Sequence, residues 1–456
     1  MEEKASQYGN FTEGPITAPL IRFSLPILFA LFLQAMYGAV DLMIVGQFAT
    51  SADVSAVATG SQIMMMITGL VASFAMGTTI LLGQQIGQGK VKEGGRVIGA
   101  SIFEFLVLGA AATLMMVALA RPIAGVMNAP EEAFSRTVSY VRICGAGTLV
   151  IIAYNLIGSI FRGIGDSRTP LVTVAIATAV NIVGDLLLVA GFHMGTAGAA
   201  LATVFAQLVS VIVSLMVIRR QQLPFEFHLT DIRPDWSIIR HITRLGLPIA
   251  LQDLLVGISF LVIMAIVNSL GLIASAGVGC AERVCAFIML VPSAFMQSMS
   301  AFIAQNAGAG KMDRARKALY TGMFMALAVG VFMAAGSFFF GISLAGIFTK
   351  DHEVAYAAAQ YLKAYSIDCM LTPIFFCYIG FFNGLGETTF VMAQGIIGAF
   401  CARIPFSYLM SKRVPVSLFH VGLATPAASV LQILLCLWFM IHIRRQGKLE
   451  NHAITE

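Results

Sequence analysis

Residues 17–48 read TAPLIRFSLPILFALFLQAMYGAVDLMIVGQF, and only Arg22 and Asp41 carry charge in that stretch. A helix needs about 20 consecutive apolar residues to cross a bilayer, and this run supplies them with some to spare. Working outward, the rest of the chain has the same grain: of 456 residues 58% are hydrophobic and 11% charged, with a mean hydropathy of +0.86. A soluble domain carries roughly 25% charge, and surface-to-volume scaling leaves no core large enough to hide so much apolar surface. The chain reads as an integral membrane protein. Its apolar residues come in long runs rather than in the ~10-residue alternating segments of a barrel, so the spans are helices. The first sixteen residues, with Glu2, Glu3, Lys4 and Glu13, are polar. The run that follows is too long for the core of a signal peptide and is taken as the first span.

Breaks at charged and Gly/Pro/Asn clusters give twelve spans, at 17–48, 54–85, 95–119, 133–162, 170–192, 196–218, 242–270, 273–305, 316–347, 354–384, 388–411 and 420–443. An even number leaves both termini on one side. Nineteen of the 28 Lys and Arg residues fall on the termini and alternate loops, seven on the opposite side, and Arg283 and Arg403 inside spans. By the positive-inside rule both termini are predicted to be cytoplasmic, in a multi-pass protein of the plasma membrane. The longest polar stretch, Arg219 to Arg244, divides the chain. The predicted layout is a cytoplasmic segment 1–16, a six-helix lobe 17–218, a linker 219–241, a second six-helix lobe 242–443 and a tail 444–456.

The halves repeat. Leu25-Pro26-Ile27 answers Leu247-Pro248-Ile249, and Gln84-Gln85-Ile86-Gly87-Gln88-Gly89-Lys90 answers Gln305-Asn306-Ala307-Gly308-Ala309-Gly310-Lys311. Tyr140 answers Tyr361, and Phe161-Arg162-Gly163-Ile164-Gly165-Asp166 answers Phe382-Asn383-Gly384-Leu385-Gly386-Glu387. The offset is about 221 residues throughout, in one order. Because six is even, both halves enter from the same side, which makes a parallel repeat of the kind that transporters use.

Several classes are excluded or disfavoured. Gly83 to Lys90 has one residue too many for a P-loop and Val91 where Ser or Thr should bind magnesium, and Gly310-Lys311 is followed by Met312. HExxH and GxSxG do not occur, so no enzyme and no catalytic residues are expected. Seven cysteines without a CxxC pair read as small buried hydrophobes. Scattered basic residues give no nucleic-acid face. With no nucleotide site and no cofactor, a transporter of this kind is expected to run on a proton or sodium gradient.

Ionisable groups inside a span are costly and mark function by default. In the first half these polar groups are Asp41, Tyr140, Asn181, Asp185, Thr203 and Gln207. Asn181 and Asp185 are four apart and share a helix face. Measured from outer ends near Ala49, Glu132, His193 and Gly195, the residues Asp41, Tyr140, Asp185 and Thr203 each lie about eight positions in, roughly 12 Å. Two carboxylates withdrawn from water can take up and release a proton near neutral pH. Asp41, Asn181, Asp185 and Thr203 could equally ligate sodium through hard oxygen atoms. The second half carries Asp253, Glu282, Arg283, Asp368 and Arg403 in or near spans, of both signs, read first as mutually neutralising pairs and second as coupling groups. The 24 Met and 33 Phe would suit an adaptable cavity for apolar cations or simply face lipid.

These residues resemble the multidrug and toxic compound extrusion (MATE) family over roughly residues 15 to 445. The resemblance is carried by Leu25-Pro26 through Asp41 to Val45-Gly46, by Phe161-Arg162-Gly163-x-Gly165-Asp166, by Asn181 and Asp185 followed by Gly198-Ala199-Ala200, and by Gln305-Asn306-x-Gly308-Ala309. It implies an all-α membrane fold of twelve helices in two pseudo-symmetric lobes, set as a V. The implied activity is export of lipophilic organic cations, drugs or dyes, in exchange for protons or sodium, by a monomer surrounded by membrane lipid. By the same resemblance Asp41, Tyr140, Asn181, Asp185 and Thr203 match the N-lobe site of the DinF-like branch, although Gly184 stands where a bulkier residue is expected. The C-lobe carboxylates of the NorM-like branch have no clean counterpart. A flippase for a lipid-linked precursor, from the same superfamily, is the alternative, and its pyrophosphate would call for more cationic groups than Arg283 and Arg403.

Overall fold

A computed structural model describes residues 11–220, 225, 227–447 and 449–450. Lys4, Lys448 and the ends of the predicted terminal segments lie outside the described residues, as does part of the linker. Among the described residues eleven helices are long and apolar enough to cross a membrane, and one bent pair supplies a twelfth span. In chain order they are α1 (Thr17–Phe48), α2 (Ser51–Gly87), α3 (Val91–Val126), α4 (Glu131–Ala146 with Thr148–Gly163), α5 (Arg168–Gly191), α6 (Gly195–Arg220), α7 (Trp236–Asn268), α8 (Leu272–Gly308), α9 (Met312–Phe339), α10 (His352–Leu385), α11 (Thr388–Ser411) and α12 (Leu418–Arg445). The all-helical membrane fold read from the sequence is what the chain adopts. The two pieces of α4 meet at 51°. At the bend a Cβ on Gly147 would lie 2.5 Å from Val204 of α6, so only glycine lets α6 approach there.

The repeat is visible in the backbone. Gly89 and Gly310 both turn through the left-handed region, at φ +71° and +69°, and so do Gly165 and Gly386, at +84° and +86°. Each pair is separated by the offset read from the sequence, and each sits in a turn that ends a helix, where a side chain would be strained.

Two compact units form. One comprises Leu25–Ala250 and the other Phe11–Ser24 with Leu251 onward, so the units do not divide at the linker. The leading segment of α1 belongs with the second unit, and the leading half of α7 with the first. Pro26 and Pro248 stand near these division points, each inside its helix and each removing one backbone hydrogen bond.

The core of the first unit draws on all six helices, from Val45 and Val57 through Met116, Val141 and Ile151 to Val189 and Ala200. The linker also belongs here. Asp235 accepts from Arg96 of α3 at 2.6 Å, Phe225 covers Gly94, and Gly246 of α7 lies against the Phe74 backbone of α2.

In the second unit α10 is central: 72% of its apolar window is buried, against 22% for α1. The segment before α1 is held here by Arg314, whose guanidinium donates to the carbonyl oxygens of Phe11 (2.8 Å), Glu13 (2.8 Å), Gly14 (2.7 Å) and Pro15 (3.4 Å). The Asn306 amide adds a bond to Phe11 at 3.1 Å, and the buried Phe11 ring stacks on Phe302. Five cysteines are buried, Cys280 is half-buried and Cys401 exposed, so Cys401 departs from the expected buried hydrophobe. It lies in a π-helical turn, Ile397–Arg403.

Candidate functional site

Asp41, Tyr140, Asn181, Asp185 and Thr203, singled out in α1, α4, α5 and α6, are buried in the first unit, and Gln207 is half-buried. Asp41 and Asp185 face each other within interaction range. The Tyr37 and Tyr140 rings lie beside Asp41. Tyr37 donates to the Thr203 backbone carbonyl at 3.4 Å, and the Tyr140 hydroxyl shares a bond with Ser61 at 3.1 Å. Asn181, one turn before Asp185, is fully enclosed. Gly184 is explained by the close approach of α5 and α6: a Cβ there would lie 3.0 Å from Ala202. Directly after Asp185 the helix widens into a π-helical turn, Leu186–Gly191, a distortion that often accompanies functional residues.

The cluster is rich in unsatisfied oxygen. Asp41 Oδ1, both carboxylate oxygens of Asp185, Asn181 Oδ1 and Nδ2 and Thr203 Oγ1 are buried without a hydrogen-bond partner among the described residues. Ionised carboxylates accept but cannot donate, so two of them facing each other can bond only with a proton between them. The same oxygen atoms suit a hard cation such as sodium. Either ion would neutralise a pair of charges whose burial is otherwise expensive.

A second arrangement frames this cluster where α1 ends and α2 begins. Asp53 Oδ2 accepts from Arg136 at 2.6 Å and from the Thr50 hydroxyl at 2.6 Å. Its Oδ1 accepts from Thr196, at 2.7 Å from the hydroxyl and 3.2 Å from the backbone. Arg136 lies one turn before Tyr140, and Thr196 two turns before Thr203. One carboxylate thus ties the α1–α2 turn to α4 and α6, the helices that carry Tyr140 and Thr203. The sequence reading missed Asp53, Arg136 and Tyr37. The Thr50-x-x-Asp53 spacing was the available sign of a capping box, but nothing local points from Asp53 to Arg136 or Thr196.

In the second unit the charged residues do not assemble as expected. Asp368 is buried and accepts from Thr372 at 2.9 Å and Ser429 at 2.6 Å. Arg403, 6% exposed, donates to Ser259 at 3.3 Å and lies 4.5 Å over the Phe260 ring. Asp368 and Arg403 attract each other without forming a direct ion pair. Glu282 is half-buried with Oε1 unpartnered. Arg283 is exposed and stands 6.0 Å over Phe348, and Asp253 is exposed. Among the described residues Glu282, Arg283, Asp368 and Arg403 form no direct ion pair with one another, against the first reading of them as neutralising pairs: Asp368 is bonded by hydroxyl groups, and Arg403 by Ser259 and the Phe260 face. No group of three or more His, Cys, Asp or Glu residues that could hold a metal occurs among the described residues.

Comparison with known proteins bears directly on this geometry. The family model described as MatE matches residues 26–187 and again 248–409, once in each half. The chain belongs to the MATE family. MATE proteins are transporters rather than enzymes, and the double match coincides with the internal repeat. Among curated relatives, "Probable multidrug resistance protein YpnP" of Bacillus subtilis (strain 168) is 27% identical over 88% of this chain and 90% of its own length. "Multidrug export protein MepA" of Staphylococcus aureus (strain NCTC 8325 / PS 47) is 24% identical over 86% and 88%. The solved structure titled "Outward-facing conformation of a multidrug resistance MATE family transporter of the MOP superfamily" superposes with a TM-score of 0.89 at 21% identity, covering 96% of this chain and 98% of that one. It shares the MATE fold seen here.

Proposed function

We propose that this MATE protein is a secondary active multidrug exporter of the DinF-like type, moving lipophilic organic cations out of the cell in exchange for protons or sodium. The observation that carries the reading is the facing pair Asp41 and Asp185, buried with unsatisfied oxygen atoms on two different helices. Asn181, Tyr140 and Thr203 complete the coupling-ion site. In the ionised state the pair attracts a cation; binding of a proton or sodium ion removes that attraction and releases it, so ion and drug affinities are reciprocally linked. The multidrug names of the relatives support drug export, and the lipid-linked precursor flippase is not favoured by them. Asp253, Glu282, Arg283, Asp368 and Arg403 are assigned no coupling role. On this reading the protein works in the plasma membrane as a monomer with both termini cytoplasmic.

The test is ethidium uptake by everted membrane vesicles under separate proton and sodium gradients. Wild type should accumulate dye under one of them and Asp41→Asn should fall to the vesicle background. Normal transport by Asp41→Asn would remove the site from the mechanism, and no dye movement by wild type would remove the exporter reading.

A further inference from the structure

We propose that Glu104 of α3 is a second proton-binding carboxylate of the first unit, remote from the Asp41 and Asp185 pair. Glu104 is 7% exposed. Its Oε1 accepts from the Thr243 hydroxyl of α7 at 2.7 Å, while Oε2 is buried with no partner among the described residues. The surroundings are apolar or neutral: Phe105 and Phe74 lie next to each other at 5.5 Å, and Thr78 bonds Ser101 at 3.2 Å, one turn before Glu104. A carboxylate ion with a single hydroxyl bond in such a place is costly, and an arriving proton on Oε2 removes the cost.

The charged neighbours do not remove it. On α3 itself and the linker, Arg96 is engaged by Asp235, and Asp231 accepts from the His228 backbone. Arg162 of α4 donates to Ser159, α2 carries no charged residue except Asp53 at its far end, and α7 offers Arg240, His241 and Arg244. Among the described residues none of these makes an ion pair with Glu104.

Depth separates the two stations. Asp41 is seven residues from the end of α1, about 10 Å, whereas Glu104 is 22 residues from the end of α3 on the same side of the unit, about 33 Å. Protonation would also change the bond that holds the leading half of α7 to α3, since a carboxylate accepts from Thr243 more strongly than a neutral acid does.

The inference rests on the ion-coupled reading above, and the measurement keeps the two apart. Infrared difference spectra of the purified full chain in nanodiscs, titrated with acid, should show a protonated-carboxyl band component that Glu104→Gln abolishes and Asp41→Asn retains. Thr243→Val should shift that component in frequency without removing it, by loss of its hydrogen bond. A titration unchanged in Glu104→Gln would overturn the proposal, as would a component present at every pH, which marks a permanently neutral acid. Dye export by Glu104→Gln vesicles should lose one titration step in its pH profile. If wild type exports no dye while the component titrates, the exporter reading fails and the proton site stands.

Discussion

At Asp53 a single side chain accepts from Thr50, Arg136 and Thr196, and truncation would strand those donors. Asp53→Ala should therefore cost about 2–3 kcal/mol, read as a fall in the thermal unfolding midpoint of the detergent-purified protein; an unchanged midpoint would rule out the tie. Asp235 offers a pH test. Partial burial opposes its ionisation, but bonds from Arg96 and from the Ile238 backbone outweigh that and hold its carboxyl below the ordinary aspartate range. A depressed value means that the tie is present above that range and lost as pH falls through it. Arg96→Gln should thus cost under about 1 kcal/mol at neutral pH, read as a slightly lower unfolding midpoint, and the difference from wild type should vanish in acid. A difference that grew in acid would reverse the sign. At this scale the sequence was informative where a polar residue interrupts an apolar run, as at Asp41 and Asp185. The same cue stands at Glu104, inside Ile102-Phe103-Glu104-Phe105. At Asp53 the capping-box spacing from Thr50 was legible, but its ties to Arg136 and Thr196 were not, since those partners are 83 and 143 residues away.

Helices here approach one another most closely where glycine faces backbone. A Cβ on Gly77 of α2 would lie 2.6 Å from the Ile242 carbonyl of α7, and α7 returns the contact with Gly246 against Phe74. Gly77→Val should overpack this seam at about 1–3 kcal/mol, seen as reduced thermal stability and membrane yield. Gly336→Ala of α9, with open space around it, should change neither. Equal behaviour of the two variants would show that the α2–α7 approach is not tight. Span positions were legible because hydropathy alone sets them. The bend of α4 was not, because it depends on Val204 arriving from α6, and Gly145-Ala146-Gly147 reads the same in a straight helix. The π-helical turns after Asp185 and at Arg403 carry no local sign either.

For the whole molecule, the repeat was readable because its turns must keep the same glycines, whereas the unit boundaries were hidden inside the continuous helices α1 and α7. Each half of the chain lacks a segment that its unit contains: 236–250 for the first half and 11–24 for the second. Chains split within the linker should accordingly fail to accumulate singly and recover when co-expressed, measured by immunoblot of membranes. A stable first half alone would contradict the division. The clasp on Phe11 has a consequence for biogenesis. Arg314 is 303 residues downstream of the carbonyl it binds, and ribosomes add about 5–20 residues per second. The nascent amino-terminal segment must wait on the order of 15–60 s, while eight spans are made, before its partner exists. During that interval the first span is seated by hydropathy and flanking charge alone, and a chaperone or a fused tag that occupied residues 11–15 would have ample time to forestall the final closure.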